Sequence, residues 1–221
     1  MSIQIITTQD GSHSLFNTTL NETYHSVHGA VQESTHVFIK KGLDFLIERS
    51  NPSTINILEV GFGTGLNALL TLIHATTSTI KISYTTLETF PLGDDIWPWL
   101  NYSAVLGHKE YYEKLHQAPW NEPVNVLLNF ELLKLNTKLE EVILPQGHFD
   151  IIFFDAFAPN KQPELWEYPI LEKIARNLNN MGIFVTYCAK GQLKRDLKAL
   201  GFTVETLPGP PGKKEMVRGT L

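Results

Sequence analysis

A single cysteine, Cys188, in 221 residues excludes an intrachain disulfide framework and leaves no cysteine set for a structural zinc site. Long apolar runs are missing as well. No stretch approaches the roughly 20 residues that a membrane span requires, so no membrane partner is expected. The opening residues, MSIQIITTQDGSHSLF, lack the basic segment and apolar core of a secretory leader, which makes the cytoplasm the expected location. Charge is modest: 19% of residues are charged against 43% hydrophobic, the balance of an ordinary globular protein. The net charge of −5 argues against wholesale nonspecific binding to nucleic acid. Its distribution qualifies that reading, because seven basic residues stand against three acids between Lys190 and Arg218. Such a basic region on an acidic body either faces a polyanion or forms a solvated helix face. There is no internal repeat or low-complexity segment, and the length fits one α/β domain.

What is present is organised around INILEVGFGTGLN, residues 55–67. Ile55, Ile57, Leu58 and Val60 read as a buried parallel strand. Gly61, Gly63 and Gly65 then make a tight turn, and Leu66, Ala68, Leu69, Leu70, Leu72 and Ile73 carry a helical apolar pattern. Strand, glycine turn and helix form the front of a nucleotide-binding βαβ unit. A dinucleotide fingerprint would space its glycines G-x-G-x-x-G. Here Glu59 stands two residues before a G-x-G-x-G, which resembles the first motif of S-adenosylmethionine (AdoMet) methyltransferases. An acid beside the turn suits a sulfonium and an amino group better than a pyrophosphate.

Residues 1–50 read as an N-terminal extension packed on the core, and 51–221 as a catalytic domain. Within the extension, 14–30 reads as irregular structure or a short hairpin, and 33–48 as a helix docking on the sheet. His25, His28 and His36 lack a ligand spacing, so no metal is expected. A second strand, 80–87, ends at Glu88, where this fold hydrogen-bonds ribose hydroxyls. Residues 93–121 form a helical, aromatic insert holding Trp97, Trp99, Tyr102, Tyr111, Tyr112 and Trp120, which either pack or stack on bases. A third strand is expected at 124–130 and a short helix at 132–142. Asn129, Phe130 and Glu131 then stand where many methyltransferases place an adenine-binding acid, which leaves the adenine contact open. A fourth strand, 149–154, ends at Asp155. A helix over 163–178, a glycine stop at Gly182, a strand at 183–187, a helix over 190–200 and a hairpin of 202–207 with 215–220 complete the chain.

Ligands in open α/β sheets bind outside the carboxyl ends of the strands, so the glycine turn, Glu88 and Asp155 converge on one crevice. The segment Asp155-Ala156-Phe157-Ala158-Pro159 resembles in layout the Asp/Asn-Pro-Pro-aromatic loop of amino-group methyltransferases. Methyl transfer from a sulfonium is an in-line displacement, which requires a neutral amine aligned with the methyl carbon. Asp155 can hold that amine by accepting a hydrogen bond, or take its proton; both roles stay open. Phe157 can present a π-face to the amine or the sulfonium.

Several segments together are similar to the MnmD family, the methyltransferase half of bifunctional MnmC enzymes. They are Tyr24-His25-Ser26, Glu33 to Phe38, Glu59 to Asn67, Leu87 to Leu92, Asp155 to Trp166, Thr186 to Gly191 and Gly212 to Met216. The resemblance implies a Rossmann-like class I fold with a mostly parallel sheet and a C-terminal antiparallel hairpin. It implies AdoMet as cosubstrate, held by Glu59, Gly61, Phe62, Gly63, Thr64, Gly65, Asn67 and Glu88. Asp155 and Phe157 would meet the reacting amine, and Glu33, Pro159, Lys161, Lys213 and Lys214 the substrate. That substrate would be tRNA, methylated on the 5-aminomethyl group of its wobble uridine, with separate enzymes supplying the aminomethyl precursor. The chain stops soon after the hairpin, so the flavin-dependent half of MnmC is expected to be absent. Two other readings compete: a methyltransferase for a small-molecule amine or a protein, and a nucleotide-binding scaffold without catalysis.

Overall fold

The computed structural model describes residues 3–221. Its centre is an eight-stranded sheet with five parallel strands in the middle. These are β4 (Thr54–Val60), β5 (Lys81–Leu87), β7 (Phe130–Leu135), β8 (Phe149–Phe154) and β9 (Leu178–Thr186). Across the sheet they run β9-β8-β4-β5-β7. The chain thus lays down β4, steps outward through β5 to β7, then returns to β8 on the other flank of β4. That reversal between β4 and β8 is the topological switch point, where open α/β sheets bind ligands. Ile55, Ile57, Leu58 and Val60 of β4, and every residue of β8 except Asp150, are apolar and buried because helices cover both faces of the sheet. Phe153 and Phe154 are wholly buried on opposite faces, each contributing about 1.5–3 kcal/mol of transfer free energy.

At one edge β11 (Glu215–Thr220) runs antiparallel to β9, and β10 (Thr203–Pro208) pairs outside it. This is the expected C-terminal hairpin. At the other edge β6 (Pro123–Leu127) and β7 form a hairpin through Leu128 and Asn129, and β7 then pairs in parallel with β5. The expected strand at 124–130 and helix at 132–142 are therefore corrected. One predicted strand is the outer arm of a hairpin, and the predicted helix begins as the third parallel strand. Asn129 consequently lies at the end of the sheet remote from the switch point. Its amide donates there to the carbonyls of Ala75, Ser78 and Ile80. The carboxyl end of the third strand is followed by Asn136 and Thr137.

The N-terminal segment is more ordered than its sequence suggests. β1 (Ile3–Thr7), β2 (His13–Asn17) and β3 (Glu22–Thr23) make a separate antiparallel sheet. One continuous helix follows, α1, made of Ala30–Ser34, a wider π-type stretch Thr35–Asp44, and Phe45–Ser50. It buries Val37, Phe38, Leu43 and Leu46, and ends on Asn51 in the left-handed conformation. α2 (Leu66–Thr76) follows the glycine turn, and the insert holds α3 (Tyr102–Leu106) and α4 (Lys109–Gln117). Trp97, Tyr102 and Tyr112 are buried against one another, whereas Trp99 is 70% exposed.

After β8 a short 3-10 turn, Pro163–Trp166, precedes α5 (Tyr168–Asn177). The expected helix thus starts five residues late, because Glu167 is extended. β9 begins at Leu178, so Gly182 lies inside a strand rather than stopping a helix. α6 (Gly191–Ala199) leads into the final hairpin. Among the described residues no helix is long and apolar enough to cross a membrane.

Candidate active site

The switch point opens into a cavity of about 880 Å³, at the upper end of the range for small-molecule sites. Its floor is the turn after β4. Gly61 has φ +94° and so closely approaches the chain after β8 that a Cβ would lie 2.8 Å from the Asp155 carbonyl oxygen. Only glycine serves there. Gly61 and Phe62 both donate backbone N–H groups to the Leu87 carbonyl, which ties the turn to β5. Glu88 finishes that tie. One of its carboxylate oxygens accepts the Gly63 N–H at 2.9 Å and the other the Phe90 N–H at 2.8 Å.

The N-terminal sheet forms the opposite wall. Tyr24 packs on Gly63, where a Cβ would stand 3.3 Å from its ring, and meets Phe157 edge-to-face at 5.1 Å. Burial, with the Glu88 charge behind it, pushes the Tyr24 hydroxyl up to about 12, so it remains a neutral phenol. Lys161, in the loop after β8, donates to the carbonyls of Leu20 and Asn21 at 2.9 Å each. Its ammonium staples the two walls together. On a third side Lys213, from the C-terminal hairpin loop, pairs with Glu33 on α1 and sits 3.9 Å from the centre of the Tyr187 ring. Tyr187 in turn donates its hydroxyl to the Ala156 carbonyl at 2.8 Å.

Asp155 lies at the end of β8, deep in the protein yet on the cavity wall. Asn67, one residue inside α2, donates its amide to Asp155 at 2.8 Å. Burial foremost, and then the charge of Glu33, push the Asp155 carboxyl up to about 7, against the opposing pull of Asn67 and Lys213. It is therefore poised between carboxylate and acid near neutrality. Phe157 is half-buried beside it, its carbonyl fixed by the Trp166 indole N–H at 2.8 Å.

The cavity brings together Gly61, Phe62, Gly63, Thr64, Glu88, Asp155, Phe157, Lys161, Glu33 and Lys213. It leaves five expected residues off its wall. Gly65 starts α2, and Asn67 stands behind Asp155. Glu59 is fully buried beneath the turn, bonded to the Thr86 hydroxyl at 2.7 Å. Pro159 is half-buried outside the lining, and Lys214 is exposed on the hairpin loop. The three N-terminal histidines point to separate partners: His25 to Ser14, His28 to Gln9 and His36 to the Pro208 carbonyl. Sequence reasoning gave no role to Phe16, Leu20 and Glu22 of the N-terminal sheet, nor to Lys138, Leu139 and Glu140 after β7, all on the wall. Their positions depend on long-range packing, whereas Tyr24 and Tyr187, also on the wall, lay within segments already singled out in the sequence.

The lining suits a cation. Six acids, Glu22, Glu33, Glu88, Glu140, Asp155 and Glu164, face three lysines, each already engaged: Lys138 with Glu141, Lys161 with two carbonyls and Lys213 with Glu33. A pyrophosphate would meet repulsion there, whereas a sulfonium and an amino group would not. The residues present thus fit AdoMet.

Comparisons agree with this fit. Residues 107–221 match the profile of a family described as S-adenosyl-L-methionine-dependent methyltransferase. The chain is 31% identical, over 92% of its length, to the tRNA 5-methylaminomethyl-2-thiouridine biosynthesis bifunctional protein MnmC of Idiomarina loihiensis, covering 36% of that protein. The MnmC of Methylobacillus flagellatus is 29% identical over 90% of the chain and 32% of the relative. The chain thus spans about a third of the length of the curated relatives it matches. The crystal structure of MNMC2 from Aquifex aeolicus superposes with a TM-score of 0.83 and 28% identity, over all of this chain and 70% of that one. The CurJ carbon methyltransferase shares the fold, at a TM-score of 0.50 and 16% identity. On its sequence, its 5-4-1-2-3 order of parallel strands and its acid-lined crevice, the chain belongs to the S-adenosyl-L-methionine-dependent methyltransferases.

Proposed function

We propose that this enzyme methylates the 5-aminomethyl group of a tRNA wobble uridine, giving 5-methylaminomethyl-(2-thio)uridine, and that it acts in the cytoplasm. The observation that carries this reading is the Asn67–Asp155 pair at the wall of a cavity that carries six acids and several aromatic rings. The bifunctional MnmC relatives are named for this modified nucleoside, and the matched region covers nearly the whole chain.

Bound AdoMet supplies an electrophilic methyl group on a positively charged sulfur. Gly61, Phe62, Gly63 and Thr64 would hold it along the turn, with Glu88 toward the ribose. Asp155 accepts an N–H of the incoming amine and keeps the nitrogen lone pair in line with the methyl carbon. A new N–C bond forms as the S–C bond breaks, and the nitrogen must shed one proton. With its carboxyl raised to about 7, Asp155 can receive that proton near neutral pH and return it to solvent. Phe157, Tyr24 and Tyr187 exclude water and offer ring faces to cationic groups. Glu33 and Lys213 form an ion-paired edge of the cavity, and exposed Lys214 beside it is placed to meet a backbone phosphate. Lys161 and Pro159 shape the loop on which Phe157 sits.

Bulk tRNA carrying unmethylated 5-aminomethyluridines, incubated with enzyme and methyl-labelled AdoMet and then digested to nucleosides, provides the test. Label in 5-methylaminomethyl-(2-thio)uridine is expected. Label confined to another nucleoside, or transferred only to free amines or protein, would overturn the reading.

A further inference from the structure

Thr64 is only 1% exposed, and its backbone carbonyl turns toward the helical insert. Two side chains of α4, spaced i and i+4 on one helix face, meet that single oxygen. The Tyr112 hydroxyl donates to it at 3.1 Å, nearer than the Trp97 carbonyl at 3.5 Å. His116 Nε2 lies 3.1 Å from the same oxygen, and because a carbonyl can only accept, the imidazole carries its proton there. The ring has little freedom. It stacks on Trp97 at 4.7 Å, with Tyr112 edge-on at 4.6 Å and Phe62 of the turn at 5.3 Å. Lys134 secures the backbone of the same residue, donating to the His116 carbonyl at 2.7 Å.

We propose that Tyr112 and His116 are positioning residues for AdoMet: their two hydrogen bonds hold the Thr64 carbonyl, and with it the glycine turn, in the shape that receives the ligand. Neither side chain lines the cavity, so both act through the turn. The inference rests on the reading of that turn as the seat of AdoMet.

Gly65 supplies an independent observation. A Cβ there would stand 2.9 Å from His116 Nε2 and 3.0 Å from the Phe62 ring, at a φ of +73°. The third glycine of the motif therefore makes room for the imidazole as well as for the turn. Glu88 holds the turn at Gly63 from one side, and the two α4 donors hold it at Thr64 from the other. Burial pushes the His116 imidazole down to about 3, so the ring stays neutral and its bond does not titrate at working pH. A turn held in shape beforehand spares the ligand the entropic cost of ordering it.

Calorimetric titration with AdoMet tests the pair. Tyr112→Phe or His116→Leu alone leaves one donor in place, and each should weaken AdoMet by about threefold to tenfold. Together they strip both donors from a buried carbonyl, so the loss should exceed the product of the single losses and reach about a hundredfold. His116→Gln, whose amide N–H can donate in place of Nε2, should recover most of the His116→Leu loss. The KM for AdoMet should follow the affinity, while the KM for the tRNA substrate moves little. Residues that only stabilised the fold would lower Tm and leave the affinity of the folded enzyme unchanged. Nitrogen-15 histidine spectra of wild type should show His116 neutral, with its proton on Nε2, from about pH 5 to about pH 8. Unchanged affinity in the folded double variant would overturn the proposal. So would equal losses in His116→Gln and His116→Leu, or a spectrum with the proton on Nδ1. Should the double variant fail to fold, the single variants and the spectrum still decide. If Gly63→Val also bound AdoMet normally, the placement of AdoMet on the turn would fail as well; if Gly63→Val lost binding, only the role of the two donors would.

Discussion

Replacing Lys213 with methionine tests how the cavity edge is held. The Glu33 side chain is only 6% exposed, and besides Lys213 it accepts the Ser26 N–H at 2.6 Å. Methionine keeps the stem over Tyr187 but removes the ammonium, leaving a buried carboxylate with a single donor. Breaking a fully buried pair in this way costs about 3–5 kcal/mol. A third of the Lys213 side chain remains in solvent, so about 2–3 kcal/mol is the better figure. For a domain of this size that lowers Tm by roughly 5–10 °C. There is also a kinetic consequence. Lys213 pulls the Asp155 pKa down, so its loss should move the acid limb of the kcat profile to higher pH. Urea unfolding near pH 8 reads the first effect and a pH–rate series the second. Adding Glu33→Gln should recover much of the stability, because the stranded charge is gone. A Lys213→Met enzyme of wild-type stability that merely bound RNA less tightly would refute this reasoning. Lys213 would then be a free phosphate contact.

Three further outcomes are expected. Gly63→Val forces a β-branched residue into φ +49° and against Tyr24, so calorimetry should find AdoMet binding lost and Tm lowered; undiminished affinity would remove the turn from the site. Glu88→Ala releases the Gly63 and Phe90 N–H groups together, and should weaken AdoMet by about 1–3 kcal/mol in the same titration. Asp155→Asn should cut kcat strongly while leaving AdoMet affinity within a few-fold. It should also gain stability relative to wild type as pH rises. The unfolded carboxyl ionises near 3.8 and the folded one near 7, so wild type loses stability across that window and the amide does not.

The parts of the fold that were legible in the sequence are those written locally. β4, the glycine turn and α2 carry their pattern in one stretch, and β8 is an apolar run that ends at a turn. The hairpin of β6 and β7 was misread for an identifiable reason. Phe130, Leu132 and Lys134 share one buried face, and a lysine that is 1% exposed hides the alternation. Its ammonium is held by the His116 carbonyl and lies over the Trp120 and Phe62 rings at 4.7 and 5.4 Å. Burial lowers its pKa to about 8. Nothing in the local sequence announces that arrangement. Asn129, without a neighbouring glycine or proline, is also a weak turn signal. In the site, Gly61, Glu88 and Asp155 were readable because strand ends converge at a switch point. The pairing of Lys213 with Glu33 and the cover of Tyr24 over Gly63 join residues distant in sequence. No periodicity encodes them. The basic count near the C-terminus misled in one respect: Lys213, Lys194 and Arg218 are all engaged with acids.

The most direct test of the proposed function is single-turnover transfer to a synthetic anticodon stem–loop bearing 5-aminomethyluridine at the wobble position. A matched stem–loop with unmodified uridine serves as control. Methyl label on the aminomethyl nitrogen of the first, with none on the second and a large loss in Asp155→Asn, is the predicted result. Equal labelling of both stem–loops, or transfer that Asp155→Ala leaves intact, would contradict it.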